Sequence, residues 1–264
     1  MKKVKTALVG ILELGRVLLV EMDNASFASI RAAEATILTR SNNRVNILVN
    51  VGVMGIAELK LTEDGYESHF ATNHLGHFLL FQLLKPALFA SSTPEFHSRI
   101  VIVASSAHYA CDLNESDNYN FQKGGYNHGQ AYENSKLANV YMANELERRY
   151  GYEGLHRISI HPGVVHTNIP RHLGSEFLEQ LMKDENILKI LSTSEQGAAT
   201  TVLAAVGKEW EGKGGKYPEY CESNRGLDDN EVFGVGYVRQ TYDSSNEERL
   251  WKDPLRIVGM NDDM

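Results

Sequence analysis

The sequence predicts an α/β domain built on a doubly wound parallel sheet. Short apolar runs of strand length alternate with longer stretches of helical periodicity, the pattern of βαβ units. No internal repeat, low-complexity tract or Pro/Gly-rich linker interrupts residues 17–210. The length of 264 residues, with 42% hydrophobic and 23% charged side chains, is that of a folded domain able to bury a full core. A single domain over 1–264 is the simplest division.

Four segments read as buried strands, each a short apolar run bounded by polar or turn residues: Val17–Met22, Val45–Val49, Arg99–Val103 and Arg157–His161. Between them, Ser26 is placed to cap a helix through about Thr39, with Phe27, Ile30, Ala33 and Ile37 along one face. Thr62 is expected to open a second helix to about Leu84, with Pro86 helping to end it. A third runs from about Gln130 to Tyr150 and stops at Gly151, and a fourth covers Gln196–Val206 before Gly207. From Glu211 onward loops are expected, with a short strand near Lys216–Tyr220 and a short helix around Glu247–Trp251.

With 26 basic against 34 acidic residues the net charge is −8, which argues against nucleic acid or an anionic membrane surface as partner. Cys111 and Cys221 supply neither a disulfide framework nor a Cys-based zinc site, and no metal is expected. A reducing, cytoplasmic setting is the easier reading. Glu13 and Arg16 interrupt the apolar stretch after the basic start, so no cleaved leader is read. Phe78–Phe89 is too short for a membrane span and carries Lys85 and Pro86.

The chemistry centres on Tyr132-Glu-Asn-Ser-Lys136 in the third helix. A spacing of four puts the phenol and the ammonium on one face, about a turn apart. A nearby ammonium favours the phenolate, so the pair can exchange a proton with a carbonyl or an alcohol. Alone, the pattern equally describes a surface lysine beside a half-buried tyrosine. Ser105 and Ser106 follow the strand Arg99–Val103, at the carboxyl edge where open α/β sheets bind ligands. One of them is placed to hold a substrate oxygen and the other to cap or turn the chain. Asn73 sits in mid-helix, either to bond a backbone carbonyl and hold a proton-relaying water beside Lys136 or as a solvated surface residue. His161-Pro-Gly-Val-Val-His-Thr167 makes a loop at the same edge, with Thr167 offering a hydroxyl.

Taken in order, Asp23-Asn-Ala-Ser, Ile47-Leu-Val-Asn-Val-Gly-Val-Met54, Asn73-His-Leu-Gly-His, Ser105-Ser-Ala-His, Tyr132-x-x-x-Lys136 and His161-Pro-Gly-Val-Val-x-Thr167 resemble the short-chain dehydrogenase/reductases. The likeness is closest to the retinol-dehydrogenase-like and WW-domain-oxidoreductase-like branch. It implies a Rossmann-like fold and hydride transfer between NAD(P)(H) and a carbonyl or alcohol on a small, apolar molecule. The branch leans towards NADP over NAD. By resemblance, Tyr132 is the proton donor or acceptor and Lys136 lowers its pKa and holds the nicotinamide ribose. Ser106, second of its pair, orients the substrate with Ser105 as fallback, and Asn73 completes the tetrad. Asp23 sits by the adenine, Asn50 falls in a loop packing on the adenosine half, and Val165 and Thr167 meet the carboxamide. Homo-oligomers are common in the family.

Against the family pattern, the strand leading to Asp23 begins near Val17, and sixteen residues cannot hold a βαβ unit of about 30. Gly10 and Gly15 lack the third glycine of a phosphate-binding turn. The expectation is an N-terminally truncated member with residues 1–16 as remnant. The alternative is a catalytically impaired or non-catalytic relative that binds cofactor weakly or serves as an interaction protein. Tyr109, Tyr119, Phe121 and Tyr126 stand either as an apolar substrate wall or as ordinary loop packing.

Overall fold

The computed structural model describes residues 17–52, 56–110, 112–166, 183, 185–219, 222–223 and 236–262. Helix α1 spans Phe27–Ser41 behind the predicted cap, the Ser26 hydroxyl accepting from Ser29 N at 3.2 Å. Strand β1 covers Ile47–Asn50. The second helix begins six residues later than Thr62 suggests. Glu67 caps it, its carboxylate accepting from the amides of His69 and Phe70 at 3.0 and 2.8 Å. It comprises a first turn Ser68–Phe70, a π-helical turn Ala71–Leu75 and the α-helical run Gly76–Ser91, here together α2. Pro86 lies inside this helix and does not end it. The proline forfeits one helical hydrogen bond, but Leu84, Ala87 and Leu88 on either side are buried, and their packing holds the last turn in place.

Strand β2 is Ser98–Val103, α3 is His128–Tyr150 and β3 is Leu155–Ile160. Gly151 does not terminate α3 in a left-handed conformation; at φ −58° the chain passes into a 3-10 turn, and Gly154 at φ 78° makes the reversal. Strands β4 (Val164–Val165) and β5 (Leu191–Ser192) pair in parallel. Between them lies α4 (Glu185–Ile190), and α5 (Ser194–Val206) follows, opened by a Thr193–Gln196 capping box. A small hairpin, β6 (Pro218–Glu219) with β7 (Glu222–Ser223), precedes α6 (Ser244–Ile257), a longer helix than the sequence suggested.

The main sheet runs β1-β2-β3, all parallel, with Ile47 opposite Arg99 and Ile100 opposite Arg157. Alternation along β2 sorts the two faces. Ile100 and Ile102 face the core shared with α1, α2, α3 and α6, through Ile30, Phe78, Met142 and Trp251. Val101 and Val103 face α5, through Ala204 and Ala205. Helices therefore cover both faces. Val17–Met22, expected as a strand, is an irregular segment with no ladder partner among the described residues, and Val17 and Leu18 are exposed. A strand needs a neighbour for its backbone groups, and no described strand lies beside it. Because the three strands are parallel, Asn50, Val103 and Ile160 all deliver the chain to one edge.

Candidate active site

Lys136 is the fixed point of that edge. Its side chain is fully buried, and Nζ donates to the carbonyls of Gly52 at 2.5 Å and Val103 at 3.1 Å. One ammonium thus ties the loop after β1 to the end of β2. Burial lowers its pKa from 10.5 to about 7. Gly52 is required for this approach, since a Cβ there would lie 2.5 Å from His77 Cε1 and 3.0 Å from Asn73 Cα.

One turn earlier, the Tyr132 ring centre lies 5.6 Å from Lys136 Nζ. Burial raises the phenol pKa, and a hydrogen bond from the Ser105 hydroxyl opposes the rise. The serine beside the phenol is Ser105, the fallback of the pair. Ser106 opens the 3-10 turn Ser106–Ala110 and is not among the residues that line the crevice beside Ser105. Ser105 Oγ also accepts from Ala107 N at 3.2 Å, so the serine beside the phenol caps the turn as well.

Asn73 is buried in the π-helical turn of α2, not solvated. Among the described residues its side chain reaches no backbone carbonyl, the bond the sequence suggested. The turn faces it towards α3, where Nδ2 donates to Ser135 Oγ at 3.0 Å and Ser135 in turn donates to the Tyr132 carbonyl at 2.7 Å. Its own carbonyl accepts from His77 Nδ1 at 2.8 Å. π-Turns inside α-helices recur at functional sites, but their extra residue leaves no mark in side-chain spacing.

An apolar cavity of about 370 Å³ opens beside Tyr132 and Ser105, walled by Val51, Val103, His161, Val165, Gly197 and Val202. Gly197 lets α5 close on β4, because a Cβ there would sit 2.4 Å from Val165 Cγ2. Gly52, Gly197 and the wall position of His161 were not assigned from the sequence; the His-Pro-Gly turn was the available signal for the last. Asn50 lies at the end of β1 and is buried, while Asp23 is exposed in the turn before α1, its carboxylate accepting from Ala25 N at 2.9 Å. Neither borders the cavity. Thr167, Gly10 and Gly15 lie outside the described residues. Of the four aromatics, Tyr119 and Phe121 are packing: Tyr119 stacks on Phe70 at 4.4 Å and donates to Asp253 at 2.9 Å.

Three buried polar groups near the sheet's carboxyl edge have no partner among the described residues: both amide atoms of Asn50, Asn73 Oδ1 and His161 Nδ1. Buried polar atoms are rarely left so. Of these residues only His161 lines the cavity, so the fit to a nicotinamide nucleoside rests on His161, Tyr132, Ser105 and the apolar wall. Among the described residues no His/Cys/Asp/Glu cluster could hold a metal, and no helix is long and apolar enough to cross a membrane.

The family model described as short chain dehydrogenase matches residues 2–177. The short-chain dehydrogenase/reductase prx1 of Penicillium roqueforti is 43% identical over 263 residues, 99% of this chain and 76% of the relative. The chain belongs to the short-chain dehydrogenase family. This short-chain dehydrogenase, an oxidoreductase by that membership, is also 41% identical to the oxidoreductase calI of Penicillium decumbens, over 91% of this chain and 71% of the relative. Human retinol dehydrogenase 14 is 33% identical over 95% of this chain and 69% of its own. A crystal structure of an uncharacterized protein from Mycobacterium paratuberculosis matches with TM-score 0.71 and 26% identity, covering 98% of this chain and 81% of that one. NADPH-bound carbonyl reductase from chicken fatty liver shares the fold, with TM-score 0.56 and 19% identity over 84% of this chain and 79% of that one.

Proposed function

We propose that this short-chain dehydrogenase interconverts a carbonyl and an alcohol on a small apolar molecule, with NADP(H) as the preferred nicotinamide cofactor. The observation that carries the reading is that Tyr132 and Ser105 line an apolar cavity of about 370 Å³ while Lys136 Nζ lies 5.6 Å from the centre of the phenol ring. The nicotinamide, when bound, supplies or accepts the hydride. In the reducing direction Ser105 donates a hydrogen bond to the carbonyl oxygen and Tyr132 donates the proton that converts it to the hydroxyl. The Lys136 ammonium, where protonated, favours the phenolate left behind. Asn73 supports Tyr132 through Ser135. Lys136, Val165 and Thr167 are assigned to the nicotinamide and ribose side, Asn50 to the adenosine half and Asp23 to the adenine.

Two relatives' names support an apolar alcohol: retinol dehydrogenase 14 and polyprenol dehydrogenase, both human and both 33% identical to this chain. The cavity walls agree, since Val51, Val103, Val165 and Val202 line it together with Ala104 and Ala198. Titrating the purified protein with NADPH and NADH, followed by nicotinamide fluorescence, tests the reading. Saturable binding that is tighter for NADPH supports it; no saturable binding of either overturns it.

A further inference from the structure

Against the Tyr132 ring, and outside the residues that line the cavity, lies a buried polar cluster that no step above uses. Glu67 is fully buried at the start of α2 and His69 is 1% exposed. The carboxylate Oε1 lies 2.7 Å from His69 Nδ1 and accepts from the Tyr126 hydroxyl at 3.2 Å. The backbone amide of Ile56 donates to His69 Nε2 at 3.2 Å, which makes Nε2 the acceptor and leaves the imidazole proton on Nδ1, directed at Glu67. The Glu67 amide donates to Asn120 Oδ1 at 2.7 Å, and Asn120 Nδ2 donates to the Gly65 carbonyl at 2.9 Å.

His69 is therefore a junction. It joins the loop after β1 through Ile56, the start of α2 through Glu67 and the approach to α3 through Tyr126. Its ring meets the Tyr132 ring edge-on, with centres 6.4 Å apart and planes at 78°. Apolar contact alone would serve as packing here; a buried carboxylate that fixes one tautomer of a neutral histidine fixes the ring's orientation as well.

We infer that His69, held in one tautomer by Glu67, is a positioning residue that fixes the Tyr132 ring in register with Ser105 and Lys136. Tyr126 contributes through Glu67. The inference deepens the proposed reaction and rests on it for its catalytic meaning, but its test does not depend on turnover.

The protein is labelled with 3-fluorotyrosine, whose lower phenol pKa brings the titration within the folded range, and the Tyr132 fluorine signal is assigned by its loss in Tyr132→Phe. Its titration midpoint is then measured in wild type, His69→Ala, His69→Phe and Tyr126→Phe, each confirmed folded by circular dichroism. Loss of register weakens the Ser105 hydrogen bond, so the midpoint is expected to rise by about half a pH unit or more in both His69 variants. A smaller rise is expected in Tyr126→Phe. His69→Phe is the discriminating variant, because a space-filling role would be restored by a second ring. A midpoint unchanged from wild type in His69→Phe overturns the inference. Should both His69 variants fail to fold, an unchanged midpoint in Tyr126→Phe does so. If cofactor titration fails while the midpoint moves, the reaction assignment falls and the positioning role stands. With a turned-over carbonyl in hand, kcat in His69→Phe is expected to fall tenfold or more with KM within about twofold.

Discussion

Replacing Lys136 by methionine is expected to change how stability depends on pH, by an amount the structure sets. The native amine is buried and its pKa falls from 10.5 to about 7. Between those values the unfolded chain holds a proton that the native state lacks, so stability rises with pH across that window. Below pH 7 the full cost of the buried charge is present; above 10.5 it is gone. The gap between 10.5 and about 7 corresponds to about 5 kcal/mol at ~1.36 kcal/mol per pH unit, an upper bound because the Gly52 and Val103 carbonyls favour the ammonium. Between pH 7 and pH 9.5, wild type is therefore expected to gain up to about 3 kcal/mol relative to Lys136→Met. Urea unfolding at half-unit pH steps, with the two proteins compared at each pH, measures the difference. Parallel curves for the two proteins would refute a buried amine with a lowered pKa.

Tyr132→Phe is expected to lower turnover by about a hundredfold to ten-thousandfold with cofactor affinity little changed, read by steady-state kinetics and fluorescence titration. Ser105→Ala should lower kcat about tenfold to a hundredfold, the worth of a hydrogen bond to developing charge, while Ser106→Ala should leave it within about twofold. The reverse order would return the substrate role to Ser106. Gly197→Ala places a methyl 2.4 Å from Val165 Cγ2, so α5 must shift; about 1–3 kcal/mol of stability and much of the cofactor affinity should be lost, by thermal melting and fluorescence titration. Burial lowers His74 to about 3, and His77, His108 and His161 each to about 4, from 6.5. Their neutral forms stabilise the native state above pH 6.5, and that contribution is lost as pH falls towards 4, so the urea midpoint should drop steeply below about pH 6.

What the sequence made legible was local. Ser26 capping α1, the face shared by Tyr132 and Lys136, and the alternation of strand and helix from β1 to α5 depend on neighbours a few residues away. What it concealed was set by distant partners. Lys136 is fixed by carbonyls 84 and 33 residues away, which no spacing encodes. Ser105 and Ser106 are chemically identical, and only the 3-10 turn after β2 decides which one meets the phenol. Thr62 carries a helix-cap signal, but Glu67 forms the cap because its carboxylate is also held by His69 and Tyr126. Pro86 reads as a stop, yet the core on both sides of it outweighs the lost bond. Val17–Met22 has the composition of a strand and lacks a described neighbour to pair with.

The central claim is proton donation by Tyr132 coupled to hydride transfer from a nicotinamide, and isotope transfer tests it most directly. Wild type and Tyr132→Phe are incubated with NADPH carrying deuterium at C4, one label per stereoisomer, and an apolar aldehyde or ketone, and the product alcohol is analysed by mass spectrometry. The account predicts deuterium in the alcohol from one stereoisomer only with wild type, and almost none with Tyr132→Phe. No labelled alcohol from wild type across a range of apolar carbonyls, or equal labelling by Tyr132→Phe, would contradict it.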